Sequence, residues 1–232
     1  MTTDAEIPSD VDLSRVWVGV AAQVWQRRPG PLERAAGRLL RSPGLARALV
    51  ATPSLLLGWM IATVVVLAVG AVATLGTGTP YVALAAPAVA GAGIAFAYGP
   101  GIDPAWELSQ SLAVSDRMVL LVRALAVFGL NAVLGLVASA ASGVAAAVTF
   151  GWLVPMTAVC ALALAAATVS RSAYVGVAAG VSGWVIAVLS VQSAGRLTAL
   201  ISGSVLTAPS LVFALACVAV ALYATRTPRG TS

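Results

Sequence analysis

The chain has 232 residues, of which 60% are hydrophobic and only 9% charged, and its mean hydropathy is +0.98. Soluble domains carry about a quarter charged residues, so a soluble enzyme or soluble binding domain is excluded and an integral membrane protein is expected. The formal charge of +5 comes from 13 basic residues with no His; all are Arg and border apolar runs, so the basic pI does not point to nucleic acid.

Residues 1–10 are polar and acidic and read as disordered. They lack the basic start and early apolar run of a signal peptide. From Val11 onward, Leu13, Val16, Trp17, Val20 and Val24 recur at helical spacing, with Asp12, Arg15, Gln23 and Gln26 on the other face. This predicts an amphipathic helix that stops at Pro29-Gly30-Pro31. A second segment, Leu32–Leu40, sets Arg34, Arg38 and Arg41 on one stripe and ends at Pro43-Gly44. Residues 1–53 are therefore expected to form a cytoplasmic arm lying in the headgroup plane as an elbow before the membrane domain. Its membrane-surface residues would be Trp17, Arg34, Arg38 and Arg41, each Arg contributing about 1 kcal/mol near an anionic leaflet. The alternative is a small soluble helical hairpin packed on itself.

Residues 54–224 carry four long charge-free gaps: Arg47 to Asp103, Arg123 to Arg171, Arg171 to Arg196, and Arg196 to Arg226. A charge at the bilayer centre is costly, so these gaps mark membrane spans. The turn sequence Gly76-Thr77-Gly78-Thr79-Pro80 divides the first gap into spans near Leu55–Leu75 and Tyr81–Tyr98. As one helix, Met118–Ser170 would run roughly 80 Å, against a hydrocarbon core of about 30 Å. It must fold back, and Ala140-Ala141-Ser142-Gly143 is the expected break. Further spans are expected near Ala173–Val191 and Leu206–Tyr223. The fold class is thus all-α, a polytopic membrane protein with six transmembrane helices preceded by amphipathic elbow helices. Six spans place every Arg except Arg196 on one side, which the positive-inside rule makes cytoplasmic together with both termini and the 225–232 tail. Tyr81, Tyr98, Tyr174, Tyr223 and Trp59 fall near span ends, as interfacial aromatics do.

No ionisable residue lies deep in a span. Arg123 is about a turn into the third, where it can snorkel to the interface, so ion-coupled transport is disfavoured. Pro87 and Pro155 are expected to kink their helices. Asn131 is the most polar mid-span residue, and an interhelical hydrogen bond is its expected role. Small residues repeat at Gly135, Ser139 and Gly143 and at Ser172, Gly176 and Gly180, permitting close helix approach. Cys160 and Cys217 sit in apolar runs and read as small buried hydrophobes rather than a disulfide or metal ligands. A Walker loop needs Lys and a zinc-protease motif needs His. With neither, no catalytic residues, no metal and no cofactor are expected, and the chain itself is not expected to be an enzyme.

The connection between the second and third spans, about residues 98–117, is long. Asp103 followed by Pro104 reads as a helix start, with Glu107 in the first turn favourable to the helix dipole. The short helix would run to about Leu112 and present Trp106 to the cytoplasm or its surface. Such a helix suits docking on another protein; the equal alternative is an interfacial loop anchored by Trp106. Arg117 and Arg123 then frame the start of the third span.

The segment DPAWELSQSLAVSDRMVLLVR, residues 103–123, resembles the corresponding stretch of six-span permease subunits of bacterial ATP-binding-cassette transporters of the type 2 class. Those show a D-P-A-aromatic-E-L stretch, then a Ser with basic residues, then an Arg a turn into the third span. Asp103, Pro104, Ala105, Trp106, Glu107 and Leu108 match, as do Ser115, Arg117 and Arg123; Asp116 departs. The resemblance implies a coupling helix, with Asp103, Trp106, Glu107 and Leu108 contacting a separate cytoplasmic ATPase subunit. It also implies a second permease copy or paralogue completing the pathway, and short external helices within 192–205. An exporter in a bacterial plasma membrane, in contact with lipid and not with nucleic acid, is the expected function. The rival is a membrane-anchored regulator whose N-terminal arm binds a cytoplasmic partner such as a sigma factor. The arm holds little apolar surface beyond its two amphipathic segments.

Overall fold

The computed structural model describes residues 12, 14–19, 30, 31, 34, 37, 38, 53–96, 116–143, 146–193 and 207–225. The chain divides into two compact units, Met1–Ala46 and Arg47–Ser232. In the first unit residues 14–19 are helical, and Asp12 caps them: its Oδ1 accepts the backbone N–H of Ser14 at 3.1 Å and of Arg15 at 3.2 Å. An N-cap carboxylate satisfies amides that the helix leaves open. Val16, Trp17 and Val18 are all exposed, Trp17 to 72%.

Among the described residues, the second unit holds seven helices: α1 (Pro53–Thr77), α2 (Tyr81–Phe96), α3 (Asp116–Ala141), the short α4 (Ala146–Gly151), α5 (Leu153–Ser170), α6 (Ala173–Ser193) and α7 (Thr207–Ala224). There is no strand among the described residues. Four stretches are long and apolar enough to cross a membrane: Gly58–Thr77, Met118–Ala141, Val148–Ser170 and Ala173–Ser193. Tyr81–Phe96 and Ala208–Ala224 are apolar but shorter. The protein is an all-helical membrane protein.

Local chemistry explains where the helices end. Between α1 and α2, Gly78 has φ +74°, a left-handed conformation that costs Gly nothing. Thr74 Oγ1 donates to the Gly70 carbonyl at 2.7 Å and accepts the Tyr81 amide at 3.1 Å, tying the two helices across the turn. At the end of α3 the Ser142 hydroxyl donates to the Ser139 carbonyl at 2.7 Å, and Gly143 takes φ +69°. The break expected at 140–143 is therefore present. Between α4 and α5 the helix is interrupted at Trp152. Pro155 has no N–H to offer the Gly151 carbonyl, so the ladder fails one turn before the proline. Arg171 ends α5 in the left-handed region at φ 57°, its amide bonded to the Ala167 carbonyl. This compact reversal leads straight into α6 and sets a cation at a helix C-terminus, where the dipole favours it.

Helix α5 is the hub. It packs on α2, α6 and α7, and 56% of its spanning window is buried, against 17–28% for the other three candidate spans. Helix α2 is the second centre and touches α1, α3, α5 and α6. Both are rich in Ala, and glycines permit near-backbone contact: an added Cβ at Gly176 would lie 2.7 Å from the Ala163 carbonyl oxygen and from Ala167, and 2.9 Å from Ala95. The Ser172–Gly180 small-residue run thus faces α5. Gly135 serves differently, making room for the ring of Trp152.

These contacts fix the relative direction of the helices. Gly93 near the end of α2 meets Trp59 near the start of α1. Phe96 packs edge-to-face on Tyr174, with centroids 6.2 Å apart, at the end of α2 and the start of α6. Gly135 late in α3 meets Trp152 just before α5. One end of the bundle therefore gathers the start of α1, the end of α2, the start of α3 and the Arg171 turn. The 78–80 and 142–143 turns lie at the other.

The distribution of polarity is that of a protein solvated by lipid. Exposed positions include Ile61, Val65, Val69 and Val72 on α1, Leu125 and Val137 on α3, Ile186 and Leu189 on α6, and Val212 and Leu215 on α7. Buried positions include Thr63, Thr74, Asn131, Ser139, Ser142, Thr149 and Thr168. Hydrocarbon does not drive apolar side chains inward; close packing and internal hydrogen bonds hold the helices together instead.

Candidate functional site

Of the residues singled out from the sequence, Asp103, Trp106, Glu107, Leu108 and Arg41 lie outside the described residues. Arg34 and Arg38 are helical and exposed, and Trp17 is exposed on its capped helix. Arg117 falls in the first turn of α3, and Arg123 is half-buried further along it. Cys160 and Cys217 are free thiols. Among the described residues, no three His, Cys, Asp or Glu side chains come together in a way that could hold a metal.

Asn131 departs from its expected role. It is buried, but its Nδ2 donates at 2.8 Å to the Val127 carbonyl of its own helix. An Asn four residues after a carbonyl can reach back along its helix and so forgo a partner on another. Its Oδ1 is buried and accepts no hydrogen bond. Trp59, expected near a span end, is half-buried at the start of α1: its indole packs into the glycine slot at Gly93, where Nε1 is buried and unpaired.

Two more buried polar atoms lack partners: Thr63 Oγ1, one turn after Trp59 on the inward stripe of α1, and Trp152 Nε1, whose ring lies over Gly135. Gly135 is one turn beyond Asn131 on the inward stripe of α3. Leaving a buried donor or acceptor unmatched costs about 1–3 kcal/mol, and four fall together on elements that pack on one another: α1 on α3, and α3 on α4 and α5. Other buried polar side chains do find partners. Trp184 Nε1 on α6 donates at 2.7 Å to the Leu84 carbonyl on α2, one turn before Pro87 disturbs that helix's own ladder. Thr168 Oγ1 donates to the Ala165 carbonyl at 2.9 Å.

The sequence pattern had no signal for Thr63 or Trp152, because one Thr or Trp in an apolar run is unremarked. The signal was indirect: a Gly at the depth where a large ring on a neighbouring helix needs space. No protein-family model matches the chain, and no curated protein or solved structure matches it either. Among the described residues, the unmatched interior atoms are two indole N–H donors, one hydroxyl and one amide carbonyl oxygen.

Proposed function

We propose that this chain is the permease subunit of a bacterial ATP-binding-cassette exporter of the type 2 class, with six spans and both termini cytoplasmic. In this reading α1, α2, α3, the α4–α5 pair, α6 and α7 are the spans. At about 1.5 Å per residue α2 is short for a core of about 30 Å, and local thinning of the bilayer accommodates such a helix.

The observation that carries the reading is that the end of α2, the first turn of α3 with Arg117 and the Arg171 turn lie at one end of the bundle. The Asp103–Leu108 stretch, which resembles a coupling helix, falls in the sequence between the end of α2 and the start of α3. A partner ATPase would supply the energy, in keeping with a chain that has no Lys for a phosphate-binding loop. The exposed Trp17 beside a capped helix, with Arg34 and Arg38 exposed further on, supports an N-terminal arm on the anionic leaflet. A second permease copy or a paralogue would complete the pathway, since closed two-fold pairing is the common assembly.

Purification in mild detergent should recover an ATPase subunit. Trp106→Ala should weaken that association by about 2 kcal/mol, as truncating a buried aromatic anchor does, while insertion stays normal. Full retention of partner and ATP turnover would reduce the loop to an interfacial connection. Recovery of a transcription factor in place of an ATPase would favour the regulator. In a Cys-free background, an impermeant thiol reagent applied outside should reach Thr77→Cys and not Ser109→Cys; the reverse pattern overturns the orientation.

A further inference from the structure

Helices α5 and α6 both belong to stretches long and apolar enough to cross a membrane, Val148–Ser170 and Ala173–Ser193. Only Arg171 and Ser172 join them. So short a connection cannot project into water, and Arg171 is held at headgroup depth on one side of the bilayer. Its surroundings converge. Phe96 at the end of α2 packs edge-to-face on Tyr174 in the first turn of α6, with ring centroids 6.2 Å apart. A Cβ at Gly176 would lie 2.9 Å from Ala95, so the end of α2 and the start of α6 touch. The amides of Arg171 and Ser172 both donate to the Ala167 carbonyl, which closes the corner one turn from Tyr174. Arg171, Tyr174 and Phe96 are all exposed, and so are the flanking Val169 and Val175. A cation therefore stands at headgroup depth with apolar side chains around it that face lipid.

Two further facts bear on what the cation meets. Arg171 is the only charged residue between Arg123 and Arg196, and none of α2, α5 and α6 carries an acid. Among the described residues it is also the only non-glycine at positive φ. Gly or Asn would fit that turn with less strain. A cation needed only to orient the helices could stand at Ser170 or Ser172 instead, so its retention at the strained position points to a use for the side chain.

We propose that the corner formed by Arg171, Tyr174 and Phe96 binds the headgroup of an anionic phospholipid. The guanidinium fork matches two phosphate oxygens. The Tyr174 hydroxyl, which bonds to no described residue, supplies a further donor, and the N-terminus of α6 adds positive potential. Phe96 and Tyr174 offer ring surface to the glycerol and upper acyl carbons, as aromatics at this depth do. Free phosphate would use the cation and leave that apolar surface idle, so the ligand is a lipid. The proposal needs a bilayer and neither an ATPase nor a second permease copy, so its failure and that of the permease reading are separate results.

The test uses the full chain labelled with 3-fluorotyrosine in neutral dodecyl maltoside micelles, with the Tyr174 fluorine resonance assigned through Tyr174→Phe. Stepwise addition of dioleoylphosphatidylglycerol should move that resonance along a saturating curve, and dioleoylphosphatidylcholine should not. The resonance of Tyr81, in the turn at the other end of the bundle, should stay in place with both. Arg171→Asn, a residue that tolerates the left-handed turn, should weaken the phosphatidylglycerol response about fivefold. Arg171→Lys should keep most of it, and raised salt should weaken it in the unaltered protein. Equal responses to the two lipids, or an unchanged response in Arg171→Asn, overturn the site. Inorganic phosphate at the same concentration should leave Tyr174 unmoved, and a matching response to it overturns the choice of a lipid. The unfolding midpoint shows whether Arg171→Asn is folded. If it is not, the salt series in the unaltered protein decides, and a response indifferent to salt overturns the proposal.

Discussion

The α2–α5–α6 core and the α1–α3 face solve the same problem, holding helices together in lipid, in different ways. In the core, Gly176 and Gly180 bring α6 against Ala163 and Ala167 of α5, and one long-range hydrogen bond from Trp184 to Leu84 locks α6 to α2. Backbone meets backbone and little polar is left unmatched. Around α1 and α3, Gly93 of α2 receives the ring of Trp59 and Gly135 of α3 receives that of Trp152, and both indole Nε1 atoms find no partner. The same residue type, a helical Gly, thus has two uses: to remove space between helices, or to receive an indole. The first gives a rigid contact with no slack. The second gives a contact whose moving part is a side chain able to change rotamer.

That contrast is broken most directly at the glycines. Gly176→Leu should destabilise the domain by about 3 kcal/mol, because the new side chain meets a backbone carbonyl and two other helices with nowhere to shift. Gly93→Ala should cost about 1 kcal/mol, since the obstructing group is the Trp59 side-chain ring and not backbone, and it can give way. Thermal unfolding in mild detergent reads both, and equal losses would erase the distinction between the two regions. An effect between those two is expected at the Trp184–Leu84 bond, which ties α6 to α2. Trp184→Phe should cost about 1–2 kcal/mol, from the lost hydrogen bond and the space left by the smaller ring. The smallest change should be a gain. Arg171→Gly relieves a non-glycine residue at positive φ by about 1 kcal/mol, raising the unfolding midpoint while weakening the cationic border that orients α5 and α6. No rise would mean that the lost charge at the end of α5 matters as much as the backbone.

Helix limits were legible in the sequence wherever charge or turn chemistry spoke. Gly78 and Gly143 stand in turns as their neighbourhoods predicted, and Arg171 closes a charge-free gap and also a helix. Pro155 was read as a kink, and the helix is interrupted one turn before it. The hub was not legible. Leu153–Ser170 is apolar on every side, and such a helix carries no stripe that says which face meets protein. Trp184 and Leu84 are 100 residues apart, and nothing local links an indole to a carbonyl near a proline in another helix. Asn131 was rightly singled out as polar and mid-span, but its geometry at i and i−4 fed its amide into its own helix. Trp59 lies near a span end as expected, and only the Gly on the next helix reveals that its ring packs into a slot there.

The hub position of α5 has a consequence for how the chain is made. Ribosomal synthesis delivers α1, α2 and α3 to the bilayer before α5 exists, yet α2 owes one of its largest contacts to α5, and α7, which comes last, packs on α5. The first three helices must therefore remain in lipid with an unfinished flank until the middle of the sequence emerges. Insertion and the packing of α1, α2 and α3 on one another can proceed from the N-terminus, but the core is completed only when residues 153–170 arrive. An insertion factor that shields a flank of small residues would act during that interval, and translation pauses would be most harmful just before Leu153.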